Sequence, residues 1–246
     1  MWADGLYVKA GLEDSKAALL VLIGALTNGR KIVLAVESGQ RESKESWAAV
    51  LRDLGARGLK PWRCTIADGH LGIWAALAEQ QPTAAEQRCW NHRITNVLDA
   101  IPTKHQLQAR TLLCAMPYAE NRVACEELRA QFVKRYRQLA PKAVERLAGD
   151  WERLVTFYQF PREHWRHLRT TNVVESPFAA VRLRTTAAKR FKKVDSATAM
   201  IWKILRVAEN TFRRLNAPEL LPAVYAGTKY VNGIKQITVN HQDVAA

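Results

Sequence analysis

Residues 17–36 have the sequence AALLVLIGALTNGRKIVLAV, two apolar segments joined by Asn28-Gly29. Asn-Gly between apolar runs favours a β-hairpin with a type I′ turn, because that turn needs positive φ at both central positions. A shorter apolar segment, residues 6–10, precedes the pair. The chain is therefore predicted to open with a three-stranded antiparallel meander.

After the meander, helix-like and strand-like apolar spacings alternate. The first helix begins at Ser43, a capping residue, ends before Gly58, and carries Trp47 on its apolar face. A strand, a helix and another strand imply a right-handed crossover, so the fourth strand should run parallel to a meander strand. The fold class is thus α/β with a mixed sheet. The elements are predicted at 43–57 (helix), 62–67 (strand), 71–80 (helix) and 84–89 (strand).

From residue 91 to about 158 the spacing is helical, with prolines between the segments. A further helix is expected to open around Val174, with Pro177 in its first turn, and a basic helix spans 196–215. The tail from Ala217 has little periodicity and is predicted to be irregular. The helices before residue 160 are predicted at 93–100, 105–115, 119–139 and 142–158.

These patterns divide the chain into four parts. Residues 1–92 form the first part of the core, and 93–160 an all-helical insertion. Residues 161–215 form C-terminal helices that complete the core, and 216–246 form the tail.

The charge is strongly positive and uneven. The formal net charge is +14, and residues 161–215 hold 13 lysines or arginines against four acidic residues. This excess favours a polyanionic partner, with nucleic acid ahead of an anionic membrane surface, although a solvated helical surface is the alternative. The basic residues lie closest together at Arg182, Arg184, Lys189, Arg190, Lys192 and Lys193.

The composition also argues against several classes of protein, namely disulfide-rich, membrane-spanning and secreted proteins. Four cysteines in 246 residues do not form a disulfide framework. The longest apolar run, residues 17–26, is too short to span a bilayer, and the first residues lack a secretory signal pattern. We therefore expect a soluble intracellular protein that does not associate with membranes.

Three acidic residues occupy positions suited to chemistry. Asp4 opens the first strand, Asp68 ends the fourth, and Glu175 lies where a helix begins. Each acid alone has an ordinary structural explanation. Asp4 and Asp68 precede glycines, and Asp-Gly is common in turns, whereas Glu175 can interact favourably with the positive end of a helix dipole. If the three converge, their hard oxygen ligands suit two Mg²⁺ or Mn²⁺ ions that act on a phosphodiester.

Several stretches together resemble one family. They are Trp2-Ala3-Asp4-Gly5-Leu6-Tyr7, Ala67-Asp68-Gly69-His70-Leu71-Gly72, Gln87-Arg88-Cys89-Trp90-Asn91-His92, and Arg169-Thr170-Thr171-Asn172 leading into Val174-Glu175-Ser176. Asp68 follows Asp4 by 64 residues, and Glu175 follows Asp68 by 107. In order and separation these motifs resemble the catalytic part of Mutator-type bacterial transposases, the insertion-sequence-256 group.

The resemblance implies a ribonuclease-H-like fold and a DDE triad of Asp4, Asp68 and Glu175 that binds two Mg²⁺ ions, with Mn²⁺ as a substitute. It implies cleavage at transposon ends followed by 3′-hydroxyl attack on target DNA. The implied partners are DNA and further copies of the chain, in a homodimer or higher oligomer, in the bacterial cytoplasm at the nucleoid. Arg182 is expected to contact a phosphate near the metal ions.

One departure from the family pattern suggests an alternative. Family members carry an N-terminal region that recognises the transposon ends, whereas this sequence starts three residues before Asp4. The first strand is therefore expected to be shortened and to hold Asp4 loosely. The alternative function is a truncated, inactive remnant that binds DNA non-specifically.

Other side chains remain open between two roles. Cys89-x-x-His92 supplies only two zinc ligands in line, with Cys64 and His70 as possible additions. We favour a buried Cys89 and a His92 that contacts the active site or DNA. His70 either reaches the scissile phosphate or caps the next helix. Trp165 is expected in the core rather than stacked on a base.

Overall fold

A computed structural model of the chain describes residues 1–11, 16–39 and 41–236. Its centre is a five-stranded mixed sheet in the order β3-β2-β1-β4-β5. The first three strands are antiparallel, whereas β4 runs parallel to both β1 and β5. The predicted meander and crossover are confirmed. The strands are β1 (Trp2–Lys9), β2 (Lys16–Ala25), β3 (Lys31–Gly39), β4 (Cys64–Ala67) and β5 (Ala85–Arg88).

The β2–β3 hairpin is confirmed, but the predicted type I′ turn is wrong. Gly29 has φ +79°, whereas Asn28 is not among the positive-φ residues. Gly29 N–H donates to the carbonyl of Leu26 at 2.9 Å, and Leu26 N–H donates to Arg30 at 2.8 Å. Five residues therefore join the strands, and a glycine in the left-handed region closes the turn. This longer loop lets the Gly29 carbonyl accept Leu215 N–H at 2.8 Å.

The first two helices cover one face of the sheet. Helices α1 (Lys44–Ala56) and α2 (Leu71–Gln80) pack on each other and enclose a small core that includes Ala3, Trp47 and Trp74. The Ser43 hydroxyl accepts the Ser46 N–H at 3.2 Å, as a helix cap does. Both predicted helices are confirmed, together with the cap.

The remaining helices lie over the larger core on the opposite face, where the even-numbered residues of β1 are buried. The predicted 142–158 helix is wrong as one element, because the chain breaks at Gly149-Asp150. The 119–139 helix starts only at Arg122, where the Asn121 side chain accepts the Ala124 N–H at 2.9 Å. The helices of this region are α3 (Trp90–Leu98), α4 (Thr103–Ala115), α5 (Arg122–Tyr136), α6 (Pro141–Ala148) and α7 (Trp151–Val155).

Asp150 lies at the break between α6 and α7. Its carboxylate pairs with Arg88, Arg93 and Arg153. Arg88 and Arg93 are themselves buried, so this one carboxylate balances guanidinium groups from β5 and α3. The ion cluster ties the helical insertion to the edge of the sheet.

The C-terminal helices complete the larger core. They are α8 (Trp165–Leu168), α9 (Asn172–Ala188), α10 (Val194–Ala208) and α11 (Leu221–Tyr225). Helix α9 packs on β1 and β2, and α10 packs on β3. Pro177 is wrongly predicted in a first turn, because α9 begins earlier, at Asn172, and Pro177 lies buried inside it. Since proline has no N–H, α9 lacks a hydrogen bond to the Val173 carbonyl.

The tail is more ordered than predicted. Besides α11 it forms a hairpin of β6 (Tyr230–Val231) and β7 (Ile234–Lys235). Gly233 N–H donates to the carbonyl of Tyr158 at 3.1 Å, so the hairpin is attached to the helical region. The prediction for residues 237–246 lies outside the described residues. No helix in the described ranges has both the length and the apolar character needed to cross a bilayer.

Candidate active site

Strand register places Asp4 beside Asp68. Trp2 pairs with Ile66 across the parallel strands β1 and β4, and Asp4 and Asp68 each lie two residues beyond this pair, with Asp68 directly after β4. Side chains two residues apart share a face of a strand, and Trp2 and Ile66 both lie in the larger core. Asp4 therefore faces that core, and it is 8% exposed. The expectation of a loosely held Asp4 is wrong, because β1 pairs with β2 along its whole length.

Helix α9 brings Glu175 to the same face. Glu175 lies in the first turn of α9, which packs on β1 and β2. The fully buried Thr171 precedes α9, and its hydroxyl donates to Glu175 Oε1. His92 Nδ1 lies 3.9 Å from the same oxygen. The Glu175 carboxylate is thus held between Thr171 and His92.

The charges around Asp4 affect its protonation. Burial first, and then the negative charges of Asp68 and Glu175, raise the pKa of Asp4 to about 7. The charge of His92 and the hydrogen bond from the Gly5 N–H lower this pKa. The surroundings therefore favour the neutral acid, as expected for a buried carboxylate close to other carboxylates.

These residues fit a hard divalent cation. Carboxylate oxygens are the ligands that Mg²⁺ prefers, and a bound cation would remove the repulsion that raises the pKa of Asp4. Within the described ranges, two sets of ligand atoms lie within 4.8 Å of one another. One is Cys89, His92 and Glu175, and the other is Glu42, Asp68 and His70. Asp4 belongs to neither set but interacts electrostatically with Asp68 and Glu175.

The raised pKa of Asp4 predicts how the stability of the metal-free protein depends on pH. In the unfolded chain Asp4 has a pKa near 3.8 and in the folded chain near 7, so the folded state binds more protons between these values. Stability should then fall as pH rises from about 4 to 7. We expect Asp4→Asn in EDTA to stabilise the protein at pH 8 by a few kcal/mol, since one pKa unit is about 1.4 kcal/mol.

Urea unfolding of both proteins at pH 8 and pH 4 measures this effect. The stabilisation should fall to a few tenths of a kcal/mol at about pH 4, which is close to the unfolded pKa of 3.8, and it should vanish at lower pH, where Asp4 is neutral in either state. An equal difference at both pH values would show that the ionisation of Asp4 is not its cause.

Glu42 is a nearby acid that sequence reasoning missed as a site residue. It is 7% exposed, and burial and then Asp68 raise its pKa. It also accepts a hydrogen bond from Tyr7. A side chain on Gly5 would collide with the Glu42 carboxylate, so only glycine allows this approach. Glu42 directly precedes a helix cap, which gives no sequence signal of its proximity to Asp68.

The Cys-x-x-His segment reaches the same site. Cys89 is fully buried, and His92 lies one turn later on α3. A hydrogen bond to Cys89 raises the pKa of His92 to about 9, against the effect of burial. His92 thus contacts the candidate active site, one of the two predicted roles. Glu175, and neither Cys64 nor His70, lies close to these two side chains as a third ligand atom.

His70 occupies the N-cap position of α2, but its side chain makes no capping hydrogen bond. It is exposed and belongs with Asp68 to the second set of ligand atoms, so a phosphate contact remains a prediction. Trp165 is 2% exposed and packs edge-on against Phe157 and Tyr158, which confirms the core prediction.

The basic residues extend away from the acids. Arg182 and Arg184 are exposed on α9, and Ala188 ends the helix about 20 Å from Glu175 at 1.5 Å per residue. The segment then bonds to the far end of β1, where Gly11 N–H donates to Phe191 at 3.0 Å. Arg190 donates to the Gly11 carbonyl at 3.2 Å. The four residues Lys189, Arg190, Lys192 and Lys193 are exposed around this attachment, which we call the distal basic segment.

Comparison with known proteins identifies the family. The family described as "Transposase, Mutator family" matches residues 1–214. The transposase for insertion sequence element IST2 of Acidithiobacillus ferrooxidans is 44% identical over 223 residues, which cover 90% of this chain and 75% of that protein. The transposase for IS6120 of Mycolicibacterium smegmatis is 40% identical over 237 residues, 95% of this chain and 72% of that protein. The motifs around both aspartates and Glu175 lie inside the matched region, and the chain belongs to the Mutator family of transposases.

Proposed function

We propose that the chain is the catalytic core of a DDE transposase that cleaves and joins DNA strands in the transposition of an insertion sequence. The observation that carries this proposal is the placement of three acids around one end of the sheet, with Asp4 in β1, Asp68 directly after the parallel strand β4, and Glu175 in the first turn of α9, which packs on β1. The sheet order, with three antiparallel and two parallel strands, supports a ribonuclease-H-like assignment. The family membership supports DNA as the substrate.

In this proposal the three carboxylates hold two divalent ions, Mg²⁺ or Mn²⁺. Ions bound in this way would activate the attacking oxygen and stabilise the leaving oxygen. Asp4 is fixed by the pairing of β1 with β2, and Asp68 directly follows β4, so both backbones are held by the sheet. Thr171 orients Glu175 by its hydrogen bond, and His92 adds positive charge beside it.

The chemistry consists of two phosphoryl transfers. In cleavage, the oxygen of water bonds to phosphorus and the bond from phosphorus to the 3′ oxygen breaks, which leaves a 3′ hydroxyl. In joining, that hydroxyl loses its proton as its oxygen bonds to the phosphorus of a target phosphodiester, and the displaced 3′ oxygen of the target takes up a proton. Neither step requires a covalent bond between protein and DNA.

We propose that the DNA follows α9 from the carboxylates to the distal basic segment. Arg182 lies about 10 Å along the helix from Glu175, within reach of a nearby phosphate. The full distance of about 20 Å corresponds to roughly six base pairs at 3.4 Å per pair. Phosphate contacts of this kind position a duplex without reading its sequence.

This path predicts a salt-dependence effect. Replacing both Lys192 and Lys193 by alanine should reduce the slope of log K against log salt by up to about two, because each lost phosphate contact removes about one. Fluorescence anisotropy with duplexes of different length measures it. The reduction should be absent for a duplex that ends within about six base pairs of the scissile phosphate.

Two lysines of the tail hairpin, Lys229 and Lys235, provide the control. Their replacement by alanine should leave the slope unchanged. An equal loss in both double variants would contradict a specific DNA path along α9.

A cleavage and strand-transfer assay tests the function itself. The substrate is labelled duplex carrying the ends of the element that encodes this chain, with Mg²⁺. The wild type should nick this DNA, and a pre-cut 3′ end should be joined to target DNA. Nicking without joining would indicate a nuclease, and binding with neither would indicate the non-catalytic remnant.

A further inference from the structure

A second set of ligand atoms lies beside the proposed magnesium site and has different chemistry. The Cys89 Sγ, a ring nitrogen of His92 and a carboxylate oxygen of Glu175 lie within 4.8 Å of one another. Cys89 and His92 are three residues apart at the start of α3, so they project to the same side. Glu175 approaches them from α9.

The donor types select the metal. A thiolate, an imidazole and a carboxylate are the ligands of zinc, whereas magnesium avoids sulfur. We propose that Cys89, His92 and Glu175 form a binding site for Zn²⁺ or a similar borderline-soft ion, with a fourth position open to water. The site shares Glu175 with the proposed magnesium site, so its effect on catalysis rests on the proposed function, whereas its metal binding does not.

Hydrogen bonds around the three ligands support this arrangement. Thr171 N–H donates to Cys89 Sγ at 3.3 Å, and Cys89 N–H donates to the Ala67 carbonyl at 2.8 Å. Thr171 Oγ1 lies 3.4 Å from His92 Nδ1. Ligands of a tetrahedral zinc ion with bonds of about 2.0–2.3 Å lie about 3.5 Å apart. Side-chain movements of roughly an ångström therefore suffice to close the site.

Sharing Glu175 has a functional consequence. A zinc ion on Cys89 and His92 would draw the Glu175 carboxylate away from Asp4 and Asp68. Zinc should therefore inhibit cleavage supported by Mg²⁺, at zinc concentrations far below that of magnesium. This makes the site an inhibitory one within the proposed function.

Cobalt absorption spectroscopy of the full chain tests the metal site without any activity measurement. Co²⁺ substitutes for Zn²⁺ and gives a thiolate-to-cobalt charge-transfer band when a cysteine binds it. We expect this band in the wild type, and its loss in Cys89→Ser. Cys114→Ser should keep the band, since Cys114 is an exposed cysteine outside the site. No band in the wild type, or an unchanged band in Cys89→Ser, would overturn the proposal.

Two further measurements separate this proposal from the proposed function. Asp4→Asn should lose cleavage but keep the cobalt band, because Asp4 is not one of the three ligands. In Cys89→Ser, the zinc concentration that halves this variant's own cleavage rate should rise at least about tenfold, a loss typical of weakened metal ligation. A cobalt band in a protein that never cleaves DNA would uphold the zinc site and contradict only the proposed function.

Discussion

Glu175→Gln is expected to lower the rate of strand cleavage by about a thousandfold or more. A metal ligand contributes to several kcal/mol of charge stabilisation in the transition state, and each 1.4 kcal/mol is about a factor of ten in rate. Glutamine keeps the shape and can still accept the Thr171 hydrogen bond, but it lacks the charge. Single-turnover cleavage of the labelled duplex in Mg²⁺ measures the loss.

Asp68→Asn should give a loss of similar size, while DNA affinity changes little in either variant. Asp195→Asn is the matched control, because Asp195 is an exposed acid in the same basic third of the chain. Its rate should stay within about twofold of the wild type, since exposed positions away from the site rarely matter. If Glu175→Gln cleaved as fast as this control, Glu175 would have no catalytic role.

Asp150→Ala is expected to destabilise the folded protein by about 3–5 kcal/mol. Removing one partner of a buried ion pair leaves the other charge uncompensated, and here both Arg88 and Arg93 would be left. Urea unfolding measures the loss, with Asp53→Ala as control. Asp53 pairs with Arg57 at 2.8 Å on the surface, where a pair contributes at most about 1 kcal/mol. Equal losses in the two variants would contradict a special role for the Asp150 cluster.

The Asp150 cluster also predicts a dependence on pH. Burial alone would raise the pKa of Asp150, but Arg88, Arg93 and Arg153 outweigh it and lower the pKa. An acid whose pKa is lowered by folding stabilises the folded state at pH values above its unfolded pKa, here about 3.8. This stabilisation is lost as pH falls through the pKa of the folded state. The difference between wild type and Asp150→Ala should therefore shrink below about pH 4.

The sequence predicted the elements whose signals are local. The Asn28-Gly29 hairpin, the Ser43 cap and the helix from Leu71 to Gln80 follow from turn chemistry and apolar spacing. The parallel strand β4 follows from the crossover rule. That rule does not say which meander strand β4 joins or in which register, so the nearness of Asp4 and Asp68 follows from the structure.

What the sequence could not predict depends on contacts between distant segments. The turn at Gly29 bonds to the distant Leu215, and Asp150, at the break between α6 and α7, pairs with arginines from β5 and α3. The position of Glu42 near the site depends on the contact between the segment before α1 and Gly5 of β1, which the sequence does not predict. Thr171 gave no signal as the partner of Glu175, because threonine before a helix is ordinarily a cap.

Manganese binding tests the central claim most directly, because it asks whether Asp4, Asp68 and Glu175 hold divalent ions together. Electron paramagnetic resonance of free Mn²⁺ reports how many ions the protein removes from solution. We predict about two bound ions for the wild type and for Asp195→Asn, and much weaker binding for Asp4→Asn, Asp68→Asn and Glu175→Gln alike. Binding in these three variants equal to that of the wild type would contradict the shared metal site.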